Sequence, residues 1–229
     1  MPLNKIVISP AVKESFSEVS IGWLLADVDV QATSAHSEEL KAALPSVLSA
    51  LGVSDENIAS QPDIAAWRQV YSHMGVKPSK YRSSLEALVR RVLKGKDLWA
   101  VSNIVDCYDS VSVMTMLAMG AHDTAKIDGD MTLRYGIPGE LFHPLGTDGD
   151  EISVDGRQIV YADESKVCCW LWNHRDTILA TVTPETKEAV FIVDSAFTPH
   201  TTSVEEGLSA LASHLELIGA RVKERGLVK

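Results

Sequence analysis

Residues Asn103 to Arg134 read NIVDCYDSVSVMTMLAMGAHDTAKIDGDMTLR. The opening weave of polar and apolar side chains fits a buried helix. Gly120-Ala121-His122-Asp123 then reads as a turn, and Asp128-Gly129-Asp130 as a second turn feeding a short strand that ends at Arg134. Asn103, Asp106, Tyr108 and Asp109 lie within two helical turns. Asn103, Asp106 and Asp109 fall at i, i+3 and i+6, near one helix face. Val105, Val111 and Val113 imply burial, and a buried carboxylate needs partners. The stretch therefore points to a ligand site that includes His122 and Arg134. The plainer alternative is that Asp106 caps or hydrogen-bonds a neighbouring loop.

Upstream, Lys5 to Ser9 and the apolar run Val19 to Val30 suggest strands. Ser37 caps a helix over roughly 38–51, with Pro45 expected to kink or split it and Gly52 to end it. Residues 53–82 read mainly as connection, with a short helix around Ile64 to Tyr71. Ser83-Ser84-Leu85-Glu86 is a capping box. Leu85, Leu88, Val89, Val92 and Leu93 then follow at helical spacing. Downstream the pattern turns to strands: Met131 to Tyr135, Glu151 to Val154, Gln158 to Tyr161, Val167 to Trp172, Ile178 to Val182 and Val190 to Asp194, punctuated by glycines. A last helix is capped by Thr202 or Ser203 and carries Leu208, Leu211, Leu215 and Ile218. The tail Arg221 to Lys229 reads as frayed. Helices at both ends and a late run of strands indicate an α+β fold, a mixed or antiparallel sheet core with flanking helices. Without repeats or a low-complexity linker, one domain over 1–229 is expected.

The 229 residues carry a formal charge of −10. That balance argues against a general nucleic-acid binder. The charge is uneven: Lys77 to Lys96 holds seven basic residues against Glu86, so this segment is +6 and the remainder −16. Lys77, Lys80, Arg82, Arg90, Arg91 and Lys94 form either a local RNA contact or a solvated helix face. No apolar run approaches the ~20 residues that span a bilayer. The start MPLNKIVISP lacks a signal peptide's apolar region, so a cytoplasmic protein without membrane contact is expected. Cys107, Cys168 and Cys169 form neither a disulfide framework nor a CxxC pair. No P-loop, GxGxxG, GxSxG or HExxH occurs, and the seven histidines are scattered. No metal or cofactor is expected.

Two further constellations stand out. In Trp170-Leu171-Trp172-Asn173-His174-Arg175-Asp176 a β pattern runs into a polar turn. Trp170 and Trp172 would share one face, with Asn173, Arg175 and Asp176 as a rim. Arg175 can hold a carboxylate or phosphate with its planar fork, or pair internally with Asp176. Asp194 ends the apolar strand Phe191-Ile192-Val193. It either orders a water or binds an amine, or caps the next turn.

Taken together, these residues resemble one family, the B3/B4 domain. It lies within the beta subunit of bacterial phenylalanyl-tRNA synthetase and also forms stand-alone proteins. The matching features are Trp67-Arg68 with Tyr71, Gly75-Val76-Lys77-Pro78, Ser83 to Leu88 with Arg90-Arg91, and Asn103 with Val105-Asp106. Further on they include Gly120 to Asp123, Leu133-Arg134, Pro144-Leu145-Gly146, Tyr161-Ala162-Asp163, and Trp172-Asn173 with Arg175-Asp176. The resemblance covers roughly residues 5–220 and is to the stand-alone class. It implies a metal-free pocket for an aminoacyl ester between the central helix and the late strands. In the synthetase that pocket removes tyrosine wrongly attached to phenylalanine tRNA. Asp194-Ser195-Ala196-Phe197 matches the family's pocket-acid strand. Gly120 stands where the family has a histidine, with His122 two residues out of register. The family's glycine-rich run is replaced by Trp172 to Asp176. These departures imply a different ligand or a pocket without the same chemistry.

The leading expectation is a trans-editing hydrolase of mischarged aminoacyl-tRNA. Asp194, His122 and Asn103 are its catalytic candidates. Asp106, Tyr108, Asp109, Arg134, Trp172, Asn173, Arg175 and Asp176 are its ligand-binding candidates. Its implied partner is tRNA or an aminoacyl compound. The alternatives are a non-catalytic module for an amino acid, nucleoside or RNA end, and an interaction protein that uses only the fold.

Overall fold

A computed structural model describes every residue except Met1, Pro2, Asn4 and Asp148. In chain order the strands are β1 (Ile6–Ile8), β2 (Ser20–Asp27), β3 (Ala118–Asp123), β4 (Met131–Tyr135), β5 (Leu141–Phe142), β6 (Ile152–Ser153), β7 (Ile159–Ala162), β8 (Val167–Trp170), β9 (Arg175–Asp176), β10 (Glu188–Ser195) and β11 (Arg221–Val228). The helices are α1 (Pro10–Ser15), α2 (Ala35–Ala50), α3 (Pro62–His73), α4 (Ser84–Leu93), α5 (Asn103–Thr115) and α6 (Val204–Leu217). One sheet runs β1-β4-β7-β8-β9 and a second β11-β2-β10-β3, while β5 and β6 form a small pair. Only the β1–β4 pairing is parallel among the described strands. The fold is α+β.

Two cores follow from strand alternation. On β2, Ile21, Trp23 and Leu25 join a core with Leu133, Val160 and Tyr161 of the first sheet and with Trp67 and Tyr71 of α3. The alternate residues Leu24 and Ala26 join a second core. There they meet Phe191 and Val193 of β10, Ile104, Cys107 and Val111 of α5, and Leu208, Leu211 and Leu215 of α6. The second sheet thus has helices on one face and the first sheet on the other. Gly207 allows α6 to lie close, since a Cβ there would sit 2.3 Å from Leu117 Cδ1.

Four expectations change. Gly120-Ala121-His122-Asp123 is not a turn but the heart of β3. The chain reverses earlier, where Met116 takes a left-handed φ of 58° and the Ser112 hydroxyl donates to the Leu117 carbonyl. Pro45 neither splits nor ends α2, which starts at a Ser34–Ser37 capping box. Pro45 lies on the exposed side, and the buried stripe Leu40, Leu44, Leu48 holds the helix across it. Ile178 to Val182 is not a strand. Thr177 N–H donates to Cys168 and Ile178 N–H to His143, so the segment leaves the sheet with Ile178 and Leu179 exposed. The tail is not frayed: Arg221–Val228 is an edge strand on β2, with Gly226 opposite Trp23. Its charged side chains hid it, although charge is how edge strands resist further pairing.

Candidate functional site

Register places the site. In the β3–β10 ladder Gly120 lies opposite Ile192, His122 opposite Val190 and Ala118 opposite Asp194. Alternation sends Gly120, His122, Ile192 and Asp194 toward the first sheet, where Tyr161 lies opposite Cys169. Between them is a cavity of about 110 Å³, closed by Trp172, Asn173, His174, Arg175, Asp176 and Ser84. A strained turn supplies the cover. Leu171 and Trp172 both have left-handed φ values, 53° and 67°, which cost about 1–3 kcal/mol each for residues with a Cβ. Trp172 N–H donates to the Ile159 carbonyl at 2.7 Å. Its ring is wedged edge-on against Phe16 and Trp67 at 5.3 and 5.5 Å. This turn ends β8 at Trp170 and separates the two tryptophans. They do not share a face as expected, and Trp170 stacks instead on Phe142.

The cavity holds an acid in an unusual setting. Asp194 is buried, and its Oδ1 accepts from Tyr161 Oη at 2.5 Å and Trp172 Nε1 at 3.3 Å. Burial pushes its carboxyl up to about 7 against the pull of those two donors. Both donors fall on Oδ1, so Oδ2 is free of hydrogen bonds among the described residues. His122 is buried, with Nε2 4.0 Å from Asp176 Oδ1. Desolvation holds its imidazole below the usual range, and Asp176 opposes this.

Four buried side-chain polar atoms lack a hydrogen-bond partner among the described residues: Ser9 Oγ, Ser84 Oγ, His122 Nδ1 and Asn173 Nδ2. The last three belong to residues lining this one cavity. Asn173 is held for that task, since its Oδ1 accepts from Tyr71 Oη and its carbonyl from Ser84 N–H, both at 3.0 Å. Unmatched buried polar atoms cost about 1–3 kcal/mol each. Their convergence marks a polar binding site.

Ser84, His174, Arg175 and Asp176 also form a wall of a larger cleft of about 400 Å³. Its other walls include Lys80, Arg82, Trp99, Tyr108, Asp109 and Leu145. Trp99 is 52% exposed, and the Arg91 guanidinium lies 4.0 Å from its ring centroid. Desolvation, with Asp106 and Asp176 nearby, pushes Asp109 up to about 8.

The expected site residues separate into two groups. Asp194, His122, Trp172, Asn173, Arg175 and Asp176 line the small cavity, and Tyr108, Asp109, Lys80 and Arg82 the cleft. Asn103, Asp106 and Arg134 line neither and are corrected to structural roles. Asn103 Oδ1 accepts from Gln31 and Ile104 N–H, and its Nδ2 donates to the Asp29 carbonyl. Asp106 accepts from Lys41 Nζ at 2.7 Å and from the Val101 and Ser102 amides. Arg134 forks onto Glu140 at 2.9 and 2.8 Å. In the basic segment, Arg90 is engaged by the buried Glu86 at 2.8 Å and Arg91 by the Asp97 carbonyl and Trp99. Lys77 and Lys94 are exposed. Sequence reasoning missed Tyr161, Ser84 and Trp99 as site residues. Tyr161 sits in the apolar run Ile159–Ala162 with nothing to distinguish it from core, and Ser84 was absorbed into a helix start. Among the described residues no group of three or more His, Cys, Asp or Glu is placed to hold a metal ion. No described helix is long and apolar enough to cross a membrane.

With this geometry in view, comparison with known proteins is informative. The N-terminal fragment of the phenylalanyl-tRNA synthetase beta-subunit from Pyrococcus horikoshii is similar in fold, with a TM-score of 0.50 at 11% identity. The match covers 100% of this chain and 55% of that one, so the chain spans about half the length of its structural neighbour. No curated protein matches the sequence. The family model of the B3/4 domain matches residues 66–216, which include α4, β3, the Trp172–Asp176 turn and Asp194. The chain belongs to the B3/4 domain family.

Proposed function

We propose that the chain binds the aminoacylated end of an RNA and hydrolyses the ester. The observation that carries this reading is the set of three unpartnered polar atoms around the Asp194 carboxyl, in a cavity that opens along a shared wall into a basic, aromatic-rimmed cleft. The small cavity takes the aminoacyl group. The cleft takes the terminal nucleoside, with Lys80 and Arg82 toward its phosphate and Trp99 as a stacking surface for a base.

An aminoacyl ester is already activated, so placing water against its carbonyl supplies much of the acceleration. Asp194 Oδ2 is the base. Its pKa of about 7 keeps it substantially ionised at neutral pH yet basic enough to accept a proton. Water adds to the carbonyl carbon as its proton passes to Asp194. The ester C–O bond then breaks, and the same proton leaves on the ribose oxygen, giving free amino acid and an RNA hydroxyl. Asn173 Nδ2 and Ser84 Oγ are the available donors for the developing oxyanion, and Asp176 is the counter-charge for the α-ammonium group.

The test is release of labelled amino acid from total tRNA charged with a labelled mixture. Wild-type protein is expected to release label above the buffer rate, and Asp194→Asn to lose about 10²–10⁴-fold of that activity. Release that is no faster than buffer, or that survives in the variant, removes Asp194 hydrolysis. Retained binding of the charged RNA would then leave a non-catalytic module.

A further inference from the structure

Resting on that reading of the site, we infer that the aminoacyl group it takes is small and hydroxylated, serine in size, and that aromatic amino acids are excluded. The first ground is volume. A cavity of about 150 Å³ is what an apolar protein site needs to hold a benzene ring. The cavity beside Asp194 is about 110 Å³. It must hold the α-ammonium and carbonyl groups as well as the side chain, so a phenol ring has no place in it.

The walls are braced against enlargement. Trp172 is fully buried between Phe16 and Trp67. The hydroxyl of Tyr161 is tied to Asp194, and Asn173 is tied to Tyr71. The remaining room depends on one residue without a side chain. A Cβ on Gly120 would meet Asp176 Oδ2 at 3.8 Å and nothing nearer, so a methyl group there fits the fold while filling ligand space. Gly120 has no left-handed φ, so alanine is also unstrained at that strand position.

The second ground is polarity. Ser84 Oγ, His122 Nδ1 and Asn173 Nδ2 all need partners. An alanine methyl would leave at least one of them unmatched, whereas a side-chain hydroxyl both donates and accepts. Sites built to hydrogen-bond a hydroxyl can reject the analogue lacking it by as much as ~10⁴–10⁵-fold.

The test measures binding of three non-hydrolysable adenosine analogues, with seryl, alanyl or tyrosyl groups in 3′-amide linkage. It is run beside hydrolysis of tRNA charged with each amino acid. The expected result is seryl binding at least about 10-fold tighter than alanyl, with no tyrosyl binding. Gly120→Ala should weaken seryl binding at least about 10-fold while its Tm stays at or above that of wild type. Tyrosyl binding equal to or tighter than seryl, no binding of any analogue, or unchanged seryl binding in Gly120→Ala would each overturn the inference. Seryl-selective binding without hydrolysis keeps the inference and removes the hydrolase. Hydrolysis of the charged mixture without seryl preference does the reverse.

Discussion

The start of α5 and the turn Trp172–Asp176 are about equally dense in hydrogen-bonding side chains, and they do opposite things. At α5, Asn103 uses both ends of its amide to fasten the segment at Asp29 and Gln31, and Asp106 gathers Lys41 and two backbone amides. Every listed demand is met within the protein. At the turn, Asn173 is secured at one end and left open at the other, beside Ser84 and His122 in the same condition. Density of polar groups therefore does not mark a site. Unmet hydrogen-bonding capacity in a cavity does, because folding leaves it unmatched only where something else is to be bound.

The comparison breaks first at Asp106. Its removal strands Lys41, whose side chain is only 8% exposed, with Glu38 as remaining partner, and frees the Val101 and Ser102 amides. Breaking a buried pair typically costs about 3–5 kcal/mol. At roughly 2–4 °C per kcal/mol for a chain of this size, Asp106→Ala is expected to lower the Tm by at least about 6 °C. A loss below about 2 °C would show that the α5 network is not structural in the sense argued.

A smaller effect is expected at Asp194, with a sign set by pH. Its folded pKa of about 7 lies above the ordinary carboxylate value, as does that of Asp109 at about 8. The unfolded chain releases these protons near pH 4 while the folded chain keeps them. Each group therefore subtracts stability as pH rises from about 4 to its folded pKa, and the loss is complete above it. Asn at 194 can still accept from Tyr161 and Trp172 but never ionises. Asp194→Asn should thus melt about 3 °C or more above wild type at pH 8.5 and converge with it at pH 5. A constant difference across that range would mean that burial does not raise this carboxyl. Greater stability combined with lost hydrolysis is the pattern of a site residue kept at a cost to the fold.

Much of this organisation was legible in the residues. The Ser203–Glu206 capping box fixes the start of α6, and the strands Met131–Tyr135 and Val190–Asp194 follow their β-branched patterns. The Ser83 box is only half made. Ser83 accepts from the Glu86 amide, but the Glu86 side chain turns to Arg68 and Arg90. Local signals cannot foresee that, because Arg68 lies a helix away. The same limit governed the site. Asn103 and Asn173 look alike in sequence, and what separates them is whether their partners arrive from 72–74 residues away or not at all. Trp172 was read as strand because nothing in its type announces a left-handed turn. The resemblance to the B3/B4 domain drew Asp194 and Trp172–Asp176 into one pocket, which residue patterns alone left as separate candidates.

The sharpest form of the comparison is also its smallest effect. Ser84 is the first residue of α4, with Ser83 rather than Ser84 serving as cap, and its hydroxyl has no partner. Replacing it with alanine removes an unmatched polar atom and adds a better helix former. Ser84→Ala should leave the Tm within about 2 °C of wild type or raise it slightly. A drop of 4 °C or more would mean that the hydroxyl is bonded inside the fold after all. It would then belong with Asn103 and Asp106, and the cavity would lose one of the three atoms that identify it. An unchanged Tm with weakened ligand binding would place Ser84 on the other side of the divide, as a group whose partner is the ligand.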